Sequence, residues 1–156
     1  MSWKRIYYLT VAGIHAYYVL AGNTPVLVHN CGTGAKDGSG LSDDDLLSAT
    51  EALRDDYAAS AFGSNKKSRP AVVTAGYNVE TRQFAAGRSH GDGTCAEVCV
   101  LNQLGGDPSK IRLVSAVRPR TGNQHSICVT CEAYFGRESF VSRGVQFATD
   151  ILRLFD

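Results

Sequence analysis

Acidic residues are missing from the first 30 positions, net charge is nearly missing from the chain as a whole, and no apolar run is clean enough to cross a bilayer. Each absence excludes something. Sixteen Lys and Arg against 15 Asp and Glu leave +1, so bulk charge argues neither for nor against a nucleic-acid partner. The uncharged residues 6–28 behind Lys4-Arg5 have the outline of a signal peptide or a membrane span. Thr10, His15, Asn23 and Pro25 interrupt them, so both fit badly and no membrane is expected. An even cysteine count, the mark of a disulfide framework, is also lacking. Five cysteines fit a reduced, metal-loaded interior and a cytoplasmic place of work better.

What is present is of ordinary globular make-up. The 156 residues are 44% hydrophobic and 20% charged, enough for one core plus an appendage. Charge is unevenly placed: residues 37–56 hold seven acids, whereas from Ala58 onward 12 Lys and Arg face 8 Asp and Glu. The part that carries the candidate chemistry is therefore mildly basic.

Residues 1–30 read as short strands, Tyr7-Tyr8-Leu9-Thr10-Val11 and then residues 15–20, with turns at Gly13 and Gly22-Asn23, and Pro25 opening Val26-Leu27-Val28. Residues 31–41, rich in glycine, are expected to be a linker. Ser42 ahead of Asp43, Asp44 and Asp45 predicts a helix start, an N-cap with acids in the first turn; Leu46, Leu47, Ala49, Leu53 and Tyr57 give its apolar stripe to about Phe62. Pro70 opens a hairpin with strands at 71–77 and 82–86. A glycine-rich loop, 87–93, leads to a helix over 95–104 that Gly105-Gly106 and Pro108 stop. A strand at 111–117, a polar loop at 118–125, a helix beginning at Cys128 and a last helix with Phe147, Ile151 and Leu154 on one face, Ala148, Leu152 and Phe155 beside them, complete residues 42–156 as one catalytic domain.

The chemistry concentrates in Thr94-Cys95-Ala96-Glu97 and Cys128-Val129-Thr130-Cys131. Cys128 and Cys131, three apart at a helix start, can bite one ion, and Cys95 at the start of another helix can supply a third sulfur. Three protein ligands on zinc leave one position open for a water whose acidity the metal raises. Helix N-termini favour thiolate at all of these positions. Glu97, turned away from the Cys95 direction, is free to move protons without touching the metal. Two blander readings stand beside this one. Cys99, one turn after Cys95, makes possible a closed four-sulfur structural site of Cys95, Cys99, Cys128 and Cys131, and Thr94-x-x-Glu97 is also a capping box. Cys99 is assigned to packing, since Val98, Val100, Leu101 and Leu104 make that helix apolar nearly all round.

The pattern of Cys-x-Glu followed by Cys-x-x-Cys resembles zinc deaminases that act on nucleobases. Arg-Pro-Ala-Val-Val-Thr-Ala at 69–75, Thr-Cys-Ala-Glu, Gln-Leu-Gly-Gly-Asp-Pro-Ser-Lys at 103–110 and Val-Arg-Pro-Arg-Thr-Gly at 117–122 resemble bacterial toxin deaminases of the YwqJ-related group. Ile127 stands where that pattern usually has Pro. The resemblance implies an α/β fold, a cytidine-deaminase-like three-layer sandwich with a mixed sheet flanked by helices. It also implies Zn2+ on Cys95, Cys128 and Cys131, Glu97 as the catalytic acid and base, and the Ala96 N–H on the base carbonyl. Asn78 is a candidate for the sugar or base edge or simply a turn former; His90 for stacking or phosphate; and Arg88, Arg118 and Arg120 for phosphate or plain surface charge. The function implied is cytosine-to-uracil conversion in nucleic acid, DNA before RNA and single strands at least as well as duplex. Free cytidine deamination and a non-catalytic zinc-bound module are the competitors. A toxin effector, secreted or contact-delivered and acting as a monomer in the target-cell cytoplasm, would imply a cognate immunity protein. Residues 1–30, ending Val28-His29-Asn30-Cys31, resemble the C-terminal end of a Hint (intein-like) pre-toxin module, expected here as an inert strand remnant, with Asn30–Cys31 as the release point in a complete module.

Overall fold

The computed structural model describes residues 16–21, 24–29, 31–60 and 65–154. It divides into two compact units, Met1–Asn30 and Cys31–Asp156. In the first, β1 (Ala16–Ala21) pairs antiparallel with β2 (Thr24–His29) from Ala21↔Thr24 to Ala16↔His29. The expected strand at 7–11, the Gly22-Asn23 turn and Asn30 lie outside the described residues.

The second unit begins with the stretch expected to be a linker, and that stretch is built into the sheet. Gly32 bridges Gly87, the Thr33 N–H donates to Ala86 O, and β3 (Lys36–Asp37) forms a ladder with β5 (Gln83–Arg88). The missing side chains of Gly32 and Gly38 are what allow it. A Cβ on Gly38 would stand 2.6 Å from both Arg82 O and Leu46 Cδ1. Helix α1 (Asp43–Ser60) starts as its residues predict: the Asp45 N–H donates to Ser42 Oγ, whose hydroxyl donates back to the Asp45 carboxylate.

Strands β4 (Val73–Asn78) and β5 form the expected hairpin, with Ala75 opposite Ala86 and Gly76 opposite Ala85. Alternation then separates two faces. Ala75 and Ala86, with Val114, meet Leu47, Leu53 and Tyr57 of α1. Ala85 turns the other way, into a larger cluster with Val100 and Leu101 of the helix α2 (Ala96–Gln103) and Leu104 at its C-cap, with Ile127, and with Cys131 and Phe135 of α3 (Val129–Phe135). The result is three layers: α1, the sheet, then α2 and α3. Small residues at the centre let helices close in on both sides.

The predicted strand at 111–117 forms in two pieces, β6 (Ile111–Leu113) and β7 (Ala116–Val117), both antiparallel to β4. Gly76 faces Leu113 but Val73 faces Val117, so a four-residue step on one strand matches a three-residue step on the other. Such a bulge twists the ladder locally. β8 (Gln124–His125) folds back on β7 across what was expected to be a polar loop. The sheet order is β3-β5-β4-β7-β8, with β6 also on β4. A mixed sheet was expected; among the described residues every strand pair is antiparallel, and parallel contact survives only as single bridges, Leu113↔Phe140 and Ile127↔Phe147. The chain beyond α3 turns into a short 3-10 segment at Arg137–Ser139 instead of adding a strand.

The last helix is shorter than its apolar pattern suggests. α4 spans Ala148–Leu152; Phe147, at its N-cap, is buried against Phe140, whereas Ile151, Leu152 and Leu154 are exposed. Charge anchors it instead: Arg137 bridges Glu132 on α3 and Asp150 on α4. Among the described residues no helix is long and apolar enough to cross a membrane.

Candidate metal centre

Both cysteine segments present their first sulfur at a helix N-cap. Cys95 caps α2 and Cys128 caps α3, each with extended backbone, so the two helix starts converge. Cys128 Sγ accepts the Cys131 N–H at 3.3 Å, which fixes the Cys-x-x-Cys turn, and lies 3.9 Å from Cys95 Sγ. Two sulfurs bound tetrahedrally at ~2.3 Å would sit about 3.8 Å apart. All three sulfurs lie within 4.8 Å of one another. The donor set and spacing can hold a metal ion, and three soft sulfurs fit zinc.

Glu97 is 5% exposed, an uncommon position for a carboxyl. Its Oε2 accepts from Cys131 Sγ at 3.6 Å. The capping-box reading does not describe it: Cys95, not Thr94, is the N-cap and makes no side-chain cap bond. Burial pushes the Glu97 carboxyl above its usual range, against the opposing pull of its own N–H and of Cys131. Burial likewise pushes up the Cys131 thiol, with the Glu97 charge next, and the Cys95 thiol, there partly offset by a hydrogen bond from Cys131. Helix N-termini were expected to favour thiolate at these positions. Desolvation and the crowding of like charges outweigh that at Cys95 and Cys131, so it is a bound cation that would draw the protons off.

Cys99 is absent from this cluster. Its sulfur is bonded to that of Cys31, 68 positions earlier, with Cα atoms 5.8 Å apart. The closed four-sulfur arrangement therefore does not form. The assignment of Cys99 to packing alone and the expectation of a fully reduced interior are both corrected: Cys99 is completely buried, and covalently paired as well. Odd parity was a poor guide, because three free cysteines and one bridge also make five.

A cleft of about 70 Å3 opens beside the centre, lined by Cys95, Ala96, Glu97 and Cys128 together with Val72, Ser89, His125 and Ser126. Ser89 Oγ accepts the Val72 N–H and so ties two strand ends together at the rim. Burial holds the His125 imidazole below its ordinary pKa, and the charge of Arg118 adds to this. Arg118 is exposed and close enough to act on a cleft residue.

The other candidate contacts lie elsewhere. Asn78 sits at the far end of β4 from Val72; its Nδ2 donates to Leu104 O, and its Oδ1 accepts the N–H groups of Glu80 and Thr81. It is a turn former that also caps α2. Arg88 follows Gly87 on β5, and since Gly87 faces Cys99, alternation turns Arg88 to the α1 side, where its charge acts on Tyr57. Arg120 Nη2 donates to the carbonyls of Lys67 and Arg69, pinning that segment. His90 faces Cys31 and Cys99 and does not line the cleft.

Val72, Ser89, His125 and Ser126 were not singled out from the sequence. For His125 the one available signal was its position three residues before Cys128. No protein-family model matches the chain, and comparison with curated proteins and with solved structures finds no match.

Proposed function

We propose that this chain is a zinc-dependent deaminase that converts cytosine to uracil in a polynucleotide, DNA before RNA, on a cytidine-deaminase-like variant of the three-layer fold. One observation carries the reading: a buried carboxyl, Glu97, stands beside a three-thiol cluster from which the fourth nearby sulfur is withdrawn into a disulfide. A structural metal site has no use for that acid, whereas hydrolysis of an amidine-like ring needs one. Zinc, when bound, would supply a water nucleophile at neutral pH. Glu97 takes the two protons of the attacking water in turn, passing the first to the ring nitrogen and the second to the departing amine, so cytosine and water become uracil and ammonia. The N–H of Ala96, at the start of α2 and lining the cleft, meets the base carbonyl. Val72 and His125 wall the ring.

The YwqJ-like motifs make a toxin effector with a cognate immunity protein part of this proposal, and the β1–β2 hairpin ahead of Asn30 fits the end of a Hint-like module. A free nucleoside is the second reading, and two observations favour it. The cleft is smaller than ordinary ligand pockets, and Arg88 and Arg120 face elsewhere, leaving Arg118 alone of the three arginines proposed for phosphate. Incubating the zinc-loaded chain with single-stranded DNA, duplex DNA, RNA and cytidine, then sequencing the polymers and assaying uridine, separates the two. Conversion in DNA, at least as fast in single strands as in duplex, is expected, since a stacked base must first be flipped out. Conversion of cytidine alone would replace the polymer reading.

A further inference from the structure

A second cluster of metal-ligating side chains lies behind α2. Cys31 and Cys99 are both buried, and a ring nitrogen of His90 lies with their sulfurs inside a 4.8 Å span. The surroundings are shaped around them. A Cβ on Gly87 would fall 2.9 Å from Cys99 Sγ, and one on Gly32 would collide with Gln103 and Ala86 O. Gln103 braces the spot: its Nε2 donates to Cys99 O at 3.1 Å and reaches Cys99 Sγ at 3.5 Å, while its Oε1 accepts the Gly34 N–H. The backbone of His90 is held in a tight turn, its N–H on Thr94 O and its carbonyl accepting from Gly93. Reduced thiols would find acceptors in place, because Cys99 Sγ is 2.7 Å from Cys31 O and Cys31 Sγ is 3.8 Å from Cys99 O.

We propose that Cys31, Cys99 and His90 form a redox-gated second metal site, shut while the two sulfurs share a bond and taking one zinc-class cation once that bond is reduced. An external dithiol supplies two electrons and two protons: its own sulfurs become a disulfide, the Cys31–Cys99 bond breaks, and two thiols result. The cation then displaces both protons to solvent and binds two thiolates and a neutral imidazole, a set that suits zinc. The sulfurs need only separate to about 3.8 Å, which side-chain rotation about Cα atoms 5.8 Å apart accommodates. The site would make the domain's metal content report the redox state of its surroundings. It does not depend on the deaminase reading.

The test is zinc stoichiometry of the full chain, oxidised and after reduction by a phosphine, with free thiols titrated in each state. Titrated in denaturant with chelator, three free thiols become five, and in the native chain bound zinc rises by one equivalent whether or not the first centre is loaded. Reduced His90→Ala and reduced Cys31→Ser each bind one equivalent fewer than the reduced parent, whereas Cys95→Ser keeps the redox-dependent equivalent. Alkylation mapped by mass spectrometry gives a readout without mutation: zinc should shield Cys31 and Cys99 in the reduced parent. Five titrating thiols with unchanged zinc would overturn the proposal. So would unshielded Cys31 and Cys99, full zinc retention by reduced His90→Ala, or loss of the fold on reduction in the presence of zinc.

Discussion

Gly87→Ala probes the seat on which the metal centre rests. Gly87 lies in β5 facing α2, and its extended strand backbone suits alanine, so the effect of the substitution is steric. The new Cβ would stand 2.7 Å from Ala96 O, 2.9 Å from Cys99 Sγ and 3.0 Å from Cys99 Cβ, where ordinary contact begins at 3.4 Å. None of these atoms ends a flexible side chain: one is backbone and the others belong to a cysteine tied to Cys31. To relieve the overlap, α2 must move off the sheet by roughly half an ångström in an interior without slack. Overpacking of this kind costs about 1–3 kcal/mol. In a chain of this size that lowers Tm by roughly 2–12 °C. Because α2 also carries Cys95 and Glu97, zinc affinity should fall by about tenfold or more, as it does when the support behind a ligand is disturbed. Gly91→Ala is the control, since its Cβ would meet nothing within 4 Å. Calorimetry and competition with a zinc indicator read both quantities. If Gly87→Ala melts and binds zinc as Gly91→Ala does, α2 is not seated on β5 as described.

Three further outcomes follow from other parts of the structure. Cys31→Ser should lower stability in non-reducing urea titrations by at most about 4 kcal/mol for a loop of this span, with the difference vanishing once both proteins are reduced and metal-free. His125, held below its usual 6.5 chiefly by burial, is neutral in the fold while the unfolded chain protonates first. Stability should therefore fall as pH drops through and below 6.5, a fall that His125→Gln should lessen in denaturation measured from pH 7.5 to 5. Phe147→Ala should cost about 3–5 kcal/mol, while Leu154→Ala, at 82% exposure, should stay within about 0.5 kcal/mol; equal losses would mean that α4 buries its apolar face after all.

Features written in neighbouring residues were legible in the sequence, and features that depend on distant pairing were not. Ser42 and the three acids after it start α1, Asn78 to Thr81 turn the β4–β5 hairpin, and Cys128 heads its helix, because caps and turns are decided within one turn of chain. The Cys128-x-x-Cys131 pair is local spacing of the same kind, whereas Cys95 joins it from 33 positions away, a grouping that the resemblance supplied. The Cys31–Cys99 bond joins positions 68 apart, and no local signal distinguishes a paired buried cysteine from a packed one. Arg88 was misplaced because the side a strand residue faces depends on register, which Gly87 against Cys99 decides. His125 was overlooked because a two-residue strand leaves no periodicity to read. The apolar pattern at the C-terminal end suggested a buried helix face, yet only Phe147 found a partner surface among the described residues of that segment.

If Glu97 does chemistry beside a metal held by Cys95, Cys128 and Cys131, Glu97→Gln should separate metal binding from conversion. The amide keeps the size of the side chain and can stay beside Cys131 but cannot accept and return a proton. Zinc content and cytosine-to-uracil conversion in single-stranded DNA should be measured on the same preparations of parent and variant. Equal zinc and a loss of conversion of at least about a hundredfold are expected. A variant that keeps both its zinc and its conversion would contradict that role for Glu97, as would a zinc-loaded parent that converts no cytosine substrate at all.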